Sequence, residues 1–308
     1  MSAPGVAQPE PLVHVIVITF NGKRHLDMCF TSLQRTEYGN MRVVLVDNAS
    51  TDGSAEFTAG AFPRVTILRH TTNLGFAAGN NRAMQAALDA GAEFVMLLND
   101  DTMILDPRWL REAVALAARE PDTGMIGFRV LDKVPEPPES ANTQAVTASD
   151  AVHIEGCTLF MRCELLRRIG LFDEVYFAYS EEDDLQARAL RAGARLRQLD
   201  IPIYHYGGGT SKRYPFRYSY LQMRNSIRYS IKNRNLLRTL ARVAKILELS
   251  CSPRPFFFDA ADASHVRMRG GNIALNFAAF LGALCWNVLH LGGTLRAKWR
   301  DDARIAVR

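Results

Sequence analysis

Three groups of side chains in this 308-residue chain carry polar chemistry at a spacing tight enough to act together. The first is Asn99-Asp100-Asp101, which closes an apolar run. Two adjacent carboxylates at the end of a strand repel each other unless a counter-charge is supplied. A divalent ion bridging them to a diphosphate supplies it, and oxygen donors suit Mg²⁺ or Mn²⁺; a solvated polar turn is the plainer alternative. The second group, Glu181-Glu182-Asp183-Asp184, opens a helical segment. Acids in a first turn complement the helix dipole. Four in succession exceed that need, and their repulsion raises at least one pKa, as a general base requires. The third group is a pair of strand ends, Thr19-Phe20-Asn21 and Asp47-Asn48-Ala49-Ser50. Asp47 offers an acceptor for a pyrimidine N–H, while Asp47 and Ser50 equally suit the capping of a following helix. His205, between Tyr204 and Tyr206, precedes a glycine run. By itself it reads first as a structural histidine.

Such groups act together only if a frame brings distant strand ends to one place. Four short runs rich in Val, Ile and Leu begin the chain: His14 to Phe20, Arg42 to Asn48, Val65 to His70 and Phe94 to Asp101. Continuous apolar runs of this length are strands covered on both faces. Helical spacing lies between them at Leu26 to Leu33 and Ala77 to Ala90, and after them from Pro107 to Glu120, with Asp106 as a cap. The alternation predicts an α/β fold with a parallel, open, doubly wound sheet over roughly the first 130 residues. In such sheets ligands bind outside the carboxyl ends of the strands. Residues 133–150, rich in Pro, Ser and Thr, read as a surface loop. A strand is expected over HIEGCTLFMR, a helix from Glu181 to Gly193, and strands or extended connections over ARLRQLD and IPIYHY.

Composition narrows the function classes. Hydrophobic residues make up 48% and charged residues 22%, enough for a packed core, so disorder and disulfide mini-scaffolds are excluded. Five cysteines, none spaced as CxxC, indicate neither a disulfide framework nor a zinc ribbon and make a reducing cytoplasm the default. The first twelve residues lack a basic patch followed by an apolar run, so no secretory signal is expected. No GxGxxG follows the first strand and no GxxxxGK[ST] occurs, which disfavours a dinucleotide-dependent dehydrogenase and a P-loop.

The net charge of +5 hides an uneven distribution. Lys212 to Lys245 holds ten Lys and Arg and no acid, several of them four residues apart (224, 228, 232 and 234, 238, 242) and therefore on shared helix faces. Residues 271–295 are uncharged, with Asn272, Asn276, Ala279, Ala283, Asn287 and His290 on one side and Phe277, Phe280, Leu281, Leu284, Val288 and Leu291 on the other. A two-faced helix suits an interface or a packed domain better than a membrane span. Either a platform on anionic lipid at the inner membrane face or a solvated basic helix packed on the domain accounts for 212–291.

The segments VIVITFNG, VVLVDNASTDGS, NLGFAAGNN, MLLNDDT, EGCTLFMR, GLFDEVYFAYSEEDDLQARALRAG and HYGGGTS, in this order over residues 13–211, resemble glycosyltransferase family 2. Within it they are similar to the rhamnosyltransferase-like branch of bacterial polysaccharide and O-antigen assembly. The resemblance implies a GT-A fold, a metal-dependent site with Mg²⁺ or Mn²⁺, and inverting transfer from a nucleotide sugar. By position, Thr19, Phe20 and Asp47 hold the donor's nucleotide, with Ser50, Asn73 and Gly75 nearby. MLLNDDT takes the place of the family's DxD motif, with Asn99 first, Asp100 beside the ribose or diphosphate, and Asp101 as metal ligand. His205 matches a histidine that completes the metal shell in some relatives. Glu182 takes the catalytic-base position, where much of the family has Asp; Glu181 or Asp184 could share the work. The chain then divides into a catalytic region at 1–211, with a nucleotide-sugar half at about 13–132 and an acceptor half at about 151–211, and a basic helical region at 212–308.

The implied donor is dTDP-L-rhamnose, with UDP-hexose, UDP-GlcNAc or a GDP-sugar as alternatives. The implied acceptor is a saccharide hydroxyl, free or on a polyprenyl diphosphate, met in the cytoplasm or at the inner membrane face. Two rivals compete. A sugar nucleotidyltransferase would carry a Gly-rich basic loop after the first strand, where FNGKRH stands. A nucleic-acid binder would use the basic stretch but leaves the acidic clusters unexplained, so no nucleic acid is expected as a partner.

Overall fold

The computed structural model describes residues 9–134, 146–207, 215–252, 256–259, 265–268 and 272–306. Its centre is a nine-stranded mixed sheet. Strand β1 (Val13–Thr19) is buried along its whole length, because β2 (Met41–Asp47) and β4 (Phe94–Asn99) flank it in parallel and helices cover both faces. Strand β3 (Thr66–Arg69) extends the parallel part beyond β2. Helices α1 (Lys23–Leu33) and α4 (Trp109–Arg119) bring Leu26, Phe30, Leu33, Trp109 and Leu110 to one core, while α2 (Ser54–Ala61) packs beside β2 and β3. Helices α3 (Gly75–Asp89), α5 (Cys163–Ile169) and α6 (Glu181–Arg191) bring Ala77, Met84, Leu166 and Leu185 to the opposite one. The predicted α/β layering is present, with a sheet between two helical layers.

Beyond β4 the sheet departs from the doubly wound parallel expectation. Strand β8 (Thr158–Arg162) runs antiparallel to β4, and β6 (Thr123–Leu131) runs antiparallel to β8. ARLRQLD and IPIYHY form one strand, β9 (Arg195–His205), parallel to β6 and flanked by short antiparallel strands β5 (Thr102–Ile104) and β7 (Ala148–Asp150). Sequence patterning gave no warning of β6 or α5, since neither has a period that separates it from its neighbours. The loop expected at 133–150 ends in β7, and its residues 135–145 lie outside the described residues. Helix α4 begins two residues later than read: Asp106 Oδ1 accepts from the Arg108 N–H, so the Asp-Pro pair forms a turn ahead of the helix.

Two registers matter for function. Thr19 is level with Asp47, and Ile18 with Asn99, so three candidate segments end on one sheet edge. Thr102 is paired with His205, which draws the Asn99–Asp101 turn against that histidine.

The C-terminal region is helical, with α7 (Pro215–Asn233), α8 (Leu236–Ser250), α9 (Ile273–Leu289) and α10 (Leu291–Ala306), plus an antiparallel ribbon of β10 (Phe256–Asp259) and β11 (His265–Met268). Met223, Ile227, Ile246, Leu249, Ala279, Phe280 and Ala283 form its core. Helix α9 is two-faced as read, but it turns its small and polar side inward: Ala279, Ala283, Asn276 and Asn287 are buried against α7. Asn276 accepts from Ser219 Oγ and Asn287 Nδ2 donates to the Arg224 carbonyl, while Asn287 Oδ1 is buried without a partner. Phe277, Leu281, Val288 and Leu289 face outward, with Leu289 75% exposed. Among the described residues no single helix is long and apolar enough to cross a membrane; α9 and α10 reach that length only as a pair bent by 65°.

Part of the basic stretch is also turned inward, while Arg217 and Arg238 are exposed. Arg224, Arg228, Lys232 and Arg242 are buried, so the face shared by 224, 228 and 232 is neither solvated nor presented to lipid or nucleic acid. Lys232 Nζ lies 3.0 Å from Asp173 and 2.9 Å from both Asp184 and Asp301. Arg228 reaches Asp173 at 2.6 Å, and Arg188 reaches Asp184 at 3.1 Å. Three acids and three bases thus neutralise each other, tying α6 to α7 and α10 across the position where the sequence suggested a boundary. Lys212 and Arg213 lie outside the described residues.

Candidate active site

Two turns leave the sheet edge in left-handed backbone, with Asn21 at φ 56° and Ala49 at φ 66°. Such conformations in non-glycine residues persist only where neighbours enforce them. Here Ser50 Oγ accepts from the Asn21 N–H and Asn21 Oδ1 accepts from the Thr51 N–H, locking the two turns together. Asp47 is fully buried; its Oδ1 caps the Ser50 N–H, and its Oδ2 faces Arg69 Nε at 3.2 Å. Neither Asp47 nor Ser50 caps the next helix, whose N-cap is Gly53 with no side-chain cap; both brace the turn before it, and a base reaching Asp47 has to share it with Arg69. Asn48, which the sequence did not single out, donates to Asn73 Oδ1 and the Gly75 carbonyl and accepts from the Leu74 N–H.

Thr19 Oγ1 donates to Asp100 Oδ2 at 2.5 Å, and a Cβ at Gly22 would fall 1.8 Å from that oxygen. The glycine of FNG is what lets Asp100 fold over the β1–α1 turn. Burial, countered by the Thr19 hydrogen bond and reinforced by Asp101, pushes Asp100 up to about 7. Asp101 behaves oppositely. Burial would raise it, but the hydrogen bond and charge of His205, 3.1 Å away, hold it below the usual carboxylate range. Burial would lower His205, yet Asp101 and the Cys157 thiol raise it to about 10.

These residues fit a divalent cation. Asp101 and His205 converge, Asn99 Nδ2 lies 3.3 Å from the same His205 nitrogen, and Asn99 Oδ1 is buried without a hydrogen-bond partner. A carboxylate and an imidazole meeting at one point, with an unused amide oxygen on the adjoining side chain, suit Mg²⁺ or Mn²⁺.

The acidic quartet divides. Asp184 is fully buried and held ionised by Lys232 and Arg188, which overcome its burial. That makes it a structural counter-ion, so the structure removes it from the base candidates. Glu181 and Asp183 are buried, with pKa values driven up by burial first and by Glu182 second. Glu182 alone remains partly exposed; burial raises its pKa, and its Oε2 has no hydrogen-bond partner. Its carboxyl carbon lies 3.3 Å from where a Gly156 Cβ would stand. One turn along α6, Gln186 grips the Ile154 backbone with two hydrogen bonds, 2.7 and 2.9 Å. The segment 154–157 thus borders Glu182 at Gly156 and His205 at Glu155 and Cys157.

The approach to α6 is strained and clamped. Phe177, Tyr179 and Ser180 all have positive φ. Asn225 Nδ2 donates to the carbonyls of Tyr176, Ala178 and Tyr179, and Arg224 Nη2 to those of Val175 and Tyr176. The Phe177 carbonyl accepts from the Ala77 N–H and would lie 2.4 Å from a Cβ at Gly75, whose φ is +82°.

The sequence model of glycosyl transferase family 2 matches residues 14–178. The chain belongs to this family. The match holds Thr19, Asp47, Asn99–Asp101 and the Gly156 segment; Glu182 and His205 follow it. Over 220 residues the family 2 chain is 26% identical to N-acetylglucosaminyl-diphospho-decaprenol L-rhamnosyltransferase of Mycobacterium tuberculosis, covering 58% of this chain and 70% of that protein. It is 27% identical over 229 residues to the putative glycosyltransferase EpsE of Bacillus subtilis, covering 68% and 78%. A stretch of 131 residues is 34% identical to an uncharacterized protein of Sinorhizobium fredii, covering 39% of this chain and only 13% of that protein. Among solved structures, a mannosyltransferase from Pyrobaculum calidifontis in complex with GDP-Man and Mn²⁺ superposes with a TM-score of 0.58 at 18% identity, covering 97% of this chain and 86% of the other. Staphylococcus aureus TarS in complex with UDP gives 0.52 at 19%, covering 78% and 71%. The glycosyltransferase architecture expected from the motifs is therefore the one observed.

Thr19, Phe20, Asp47, Ser50, Asn73, Gly75, Asn99 and Asp100 all lie on or beside the sheet edge that the two registers define. A cavity of about 740 Å³ beside Asp173 and Arg300 contains none of them. Glu155, Asn48 and the Arg224–Asn225 clamp were missed. Glu155 stood inside EGCTLFMR, whereas the clamp was hidden by reading its arginine only as charge.

Proposed function

We propose that this family 2 glycosyltransferase moves L-rhamnose from dTDP-L-rhamnose to a hydroxyl of a saccharide on a polyprenyl diphosphate, with inversion, in cell-surface polysaccharide synthesis. The observation that carries the chemistry is the segment 154–157, which borders the Glu182 carboxyl at Gly156 and the ring of His205, itself paired with Asp101, at Glu155 and Cys157. The donor and acceptor classes are supported by likeness to the mycobacterial rhamnosyltransferase.

In this reading Thr19, Phe20, Asp47, Ser50, Asn73 and Gly75 hold the nucleoside, and Asn99 and Asp100 line the diphosphate side. Glu182 accepts the proton of the acceptor hydroxyl as that oxygen attacks the anomeric carbon. Its raised pKa makes it a stronger base than an ordinary exposed carboxylate. The departing nucleoside diphosphate lies on the opposite face, by Asp101 and His205. Asp101 and His205, beside Asn99, would hold a divalent cation, which would supply positive charge against that leaving group. A single displacement needs no nucleophilic side chain.

The acceptor's lipid would be met at a membrane surface. The outward Phe277, Leu281, Val288 and Leu289 of α9, the exposed leucines 236, 237 and 240 of α8, and Trp299 between Arg296 and Arg300 on α10 suit an anionic interface.

The test is nucleoside diphosphate release from dTDP-, UDP- and GDP-sugars with a lipid-linked acceptor, with Mg²⁺ or Mn²⁺ and with chelator. Turnover of dTDP-L-rhamnose, lost with chelator and giving the inverted anomer, is the expected result. Turnover of UDP-GlcNAc alone would replace the donor, and failure to bind any nucleotide with metal would remove the transferase reading.

A further inference from the structure

The cysteine at 157 lies among metal donors. Cys157 Sγ, a Glu155 carboxylate oxygen and a ring nitrogen of His205 all lie within 4.8 Å of one another, and Sγ is 3.9 Å from Glu155 Oε2. The His205 ring in this cluster is the one that meets Asp101. Cys157 is 6% exposed, whereas Glu155 is open to solvent. Its backbone is fixed as well, because the Cys157 carbonyl accepts from the Asn99 N–H and Gln186 clamps Ile154. The sulfur therefore stands on a rigid segment, within reach of an ion that His205 ligates.

We infer that Cys157 is a ligand of the cation held by Asp101 and His205, with Glu155 as a further oxygen donor. This rests on the reading that those two residues hold a metal. Binding replaces the thiol proton: Cys–SH and M²⁺ give Cys–S–M⁺ and H⁺, the proton leaving to solvent. A thiolate and an imidazole beside two carboxylates favour softer ions than an all-oxygen site does. Co²⁺, Zn²⁺ and Cd²⁺ then bind in preference to Mg²⁺, and Mn²⁺ falls between them.

The experiment is Co²⁺ titration of the full chain, with Cys251 and Cys285 changed to Ser because both are exposed thiols. The expected result is a near-ultraviolet sulfur-to-cobalt charge-transfer band that saturates with the visible d–d bands. Cys157→Ser removes the first band, keeps the second, and weakens Cd²⁺ binding about ten- to a hundredfold while leaving Mg²⁺ binding little changed. Asp101→Asn weakens both bands together. Visible bands without a charge-transfer band would overturn the sulfur ligand and leave the metal site standing. No cobalt spectrum and no heat of binding for any divalent ion would overturn the metal site itself. Because the spectrum of the Cys157 protein is diagnostic without the serine variant, a folding defect in that variant leaves the inference open to refutation.

Discussion

Asp184 and Glu182 are two residues apart on one helical turn and have opposite environments. Lys232, Arg188 and Asn233 surround the first, so its charge is fixed and its proton cannot be exchanged usefully. The second has an unpartnered oxygen and a raised pKa. Asp184→Asn should therefore act on stability, leaving Lys232 undercompensated in the interior. Lys232→Met should act more strongly, because three carboxylates lose their shared cation; breaking a buried pair costs about 3–5 kcal/mol. Urea unfolding of both variants checks this, and a Lys232→Met protein as stable as the parent would show that the network contributes little.

At the scale of elements, α7 is the lesson. Its cations at spacing four were legible in the sequence, and so was their common face. Their direction was not, since the partners Asp173, Asp184 and Asp301 come from three other segments, and only the fold brings them together. The same limit applies to α9, whose Ala279, Ala283 and Phe280 pack inward while Phe277, Leu281, Val288 and Leu289 point out. Periodicity reports two faces and leaves open which is inside. By contrast the strand ends at Thr19, Asp47 and Asn99 were readable, because β-branched runs that stop in polar residues define the carboxyl edge of a sheet. The clamp from α7 to residues 175–180 has a direct consequence. Asn225→Ala removes a donor from the Ala178 and Tyr179 carbonyls, while Tyr176 keeps Arg224, and should cost about 1–3 kcal/mol. It should also lower turnover more than donor affinity, since the clamped segment leads directly into α6 and meets the nucleotide side through Phe177, against Gly75 and Ala77. Equal losses in kcat and donor Kd would contradict a role in orienting α6.

The whole molecule carries two opposed sets of carboxylates, and its acid profile should show both. Asp173 and Asp184 have depressed folded pKa values: burial opposes this, and Lys232 with Arg228 or Arg188 overcomes it. Their stabilisation is full above the unfolded value of about 3.9 and is lost as pH falls through the lower folded values. Glu181, Glu182 and Asp183 have raised folded values, chiefly from burial, so they destabilise the fold when ionised. Lowering the pH from neutrality should first raise the urea midpoint as these three protonate, then drop it below about pH 4. A midpoint falling steadily from pH 8 would contradict the assignment. The outward apolar side of α9 adds a second expectation at this scale. The protein should float with anionic liposomes at moderate salt, and Phe277→Asp with Leu281→Asp should abolish flotation. Binding that survives both changes would move the contact elsewhere.

The central claim is that Glu182 is the base, and one comparison addresses it directly. Turnover of the preferred donor is measured for Glu182→Gln and Glu181→Gln beside the parent, with donor nucleotide affinity measured by calorimetry. Loss of general-base catalysis should lower kcat about 10²- to 10⁴-fold in Glu182→Gln without weakening nucleotide binding, while Glu181→Gln keeps most of its rate. A Glu182→Gln enzyme turning over at the parental rate would contradict the account.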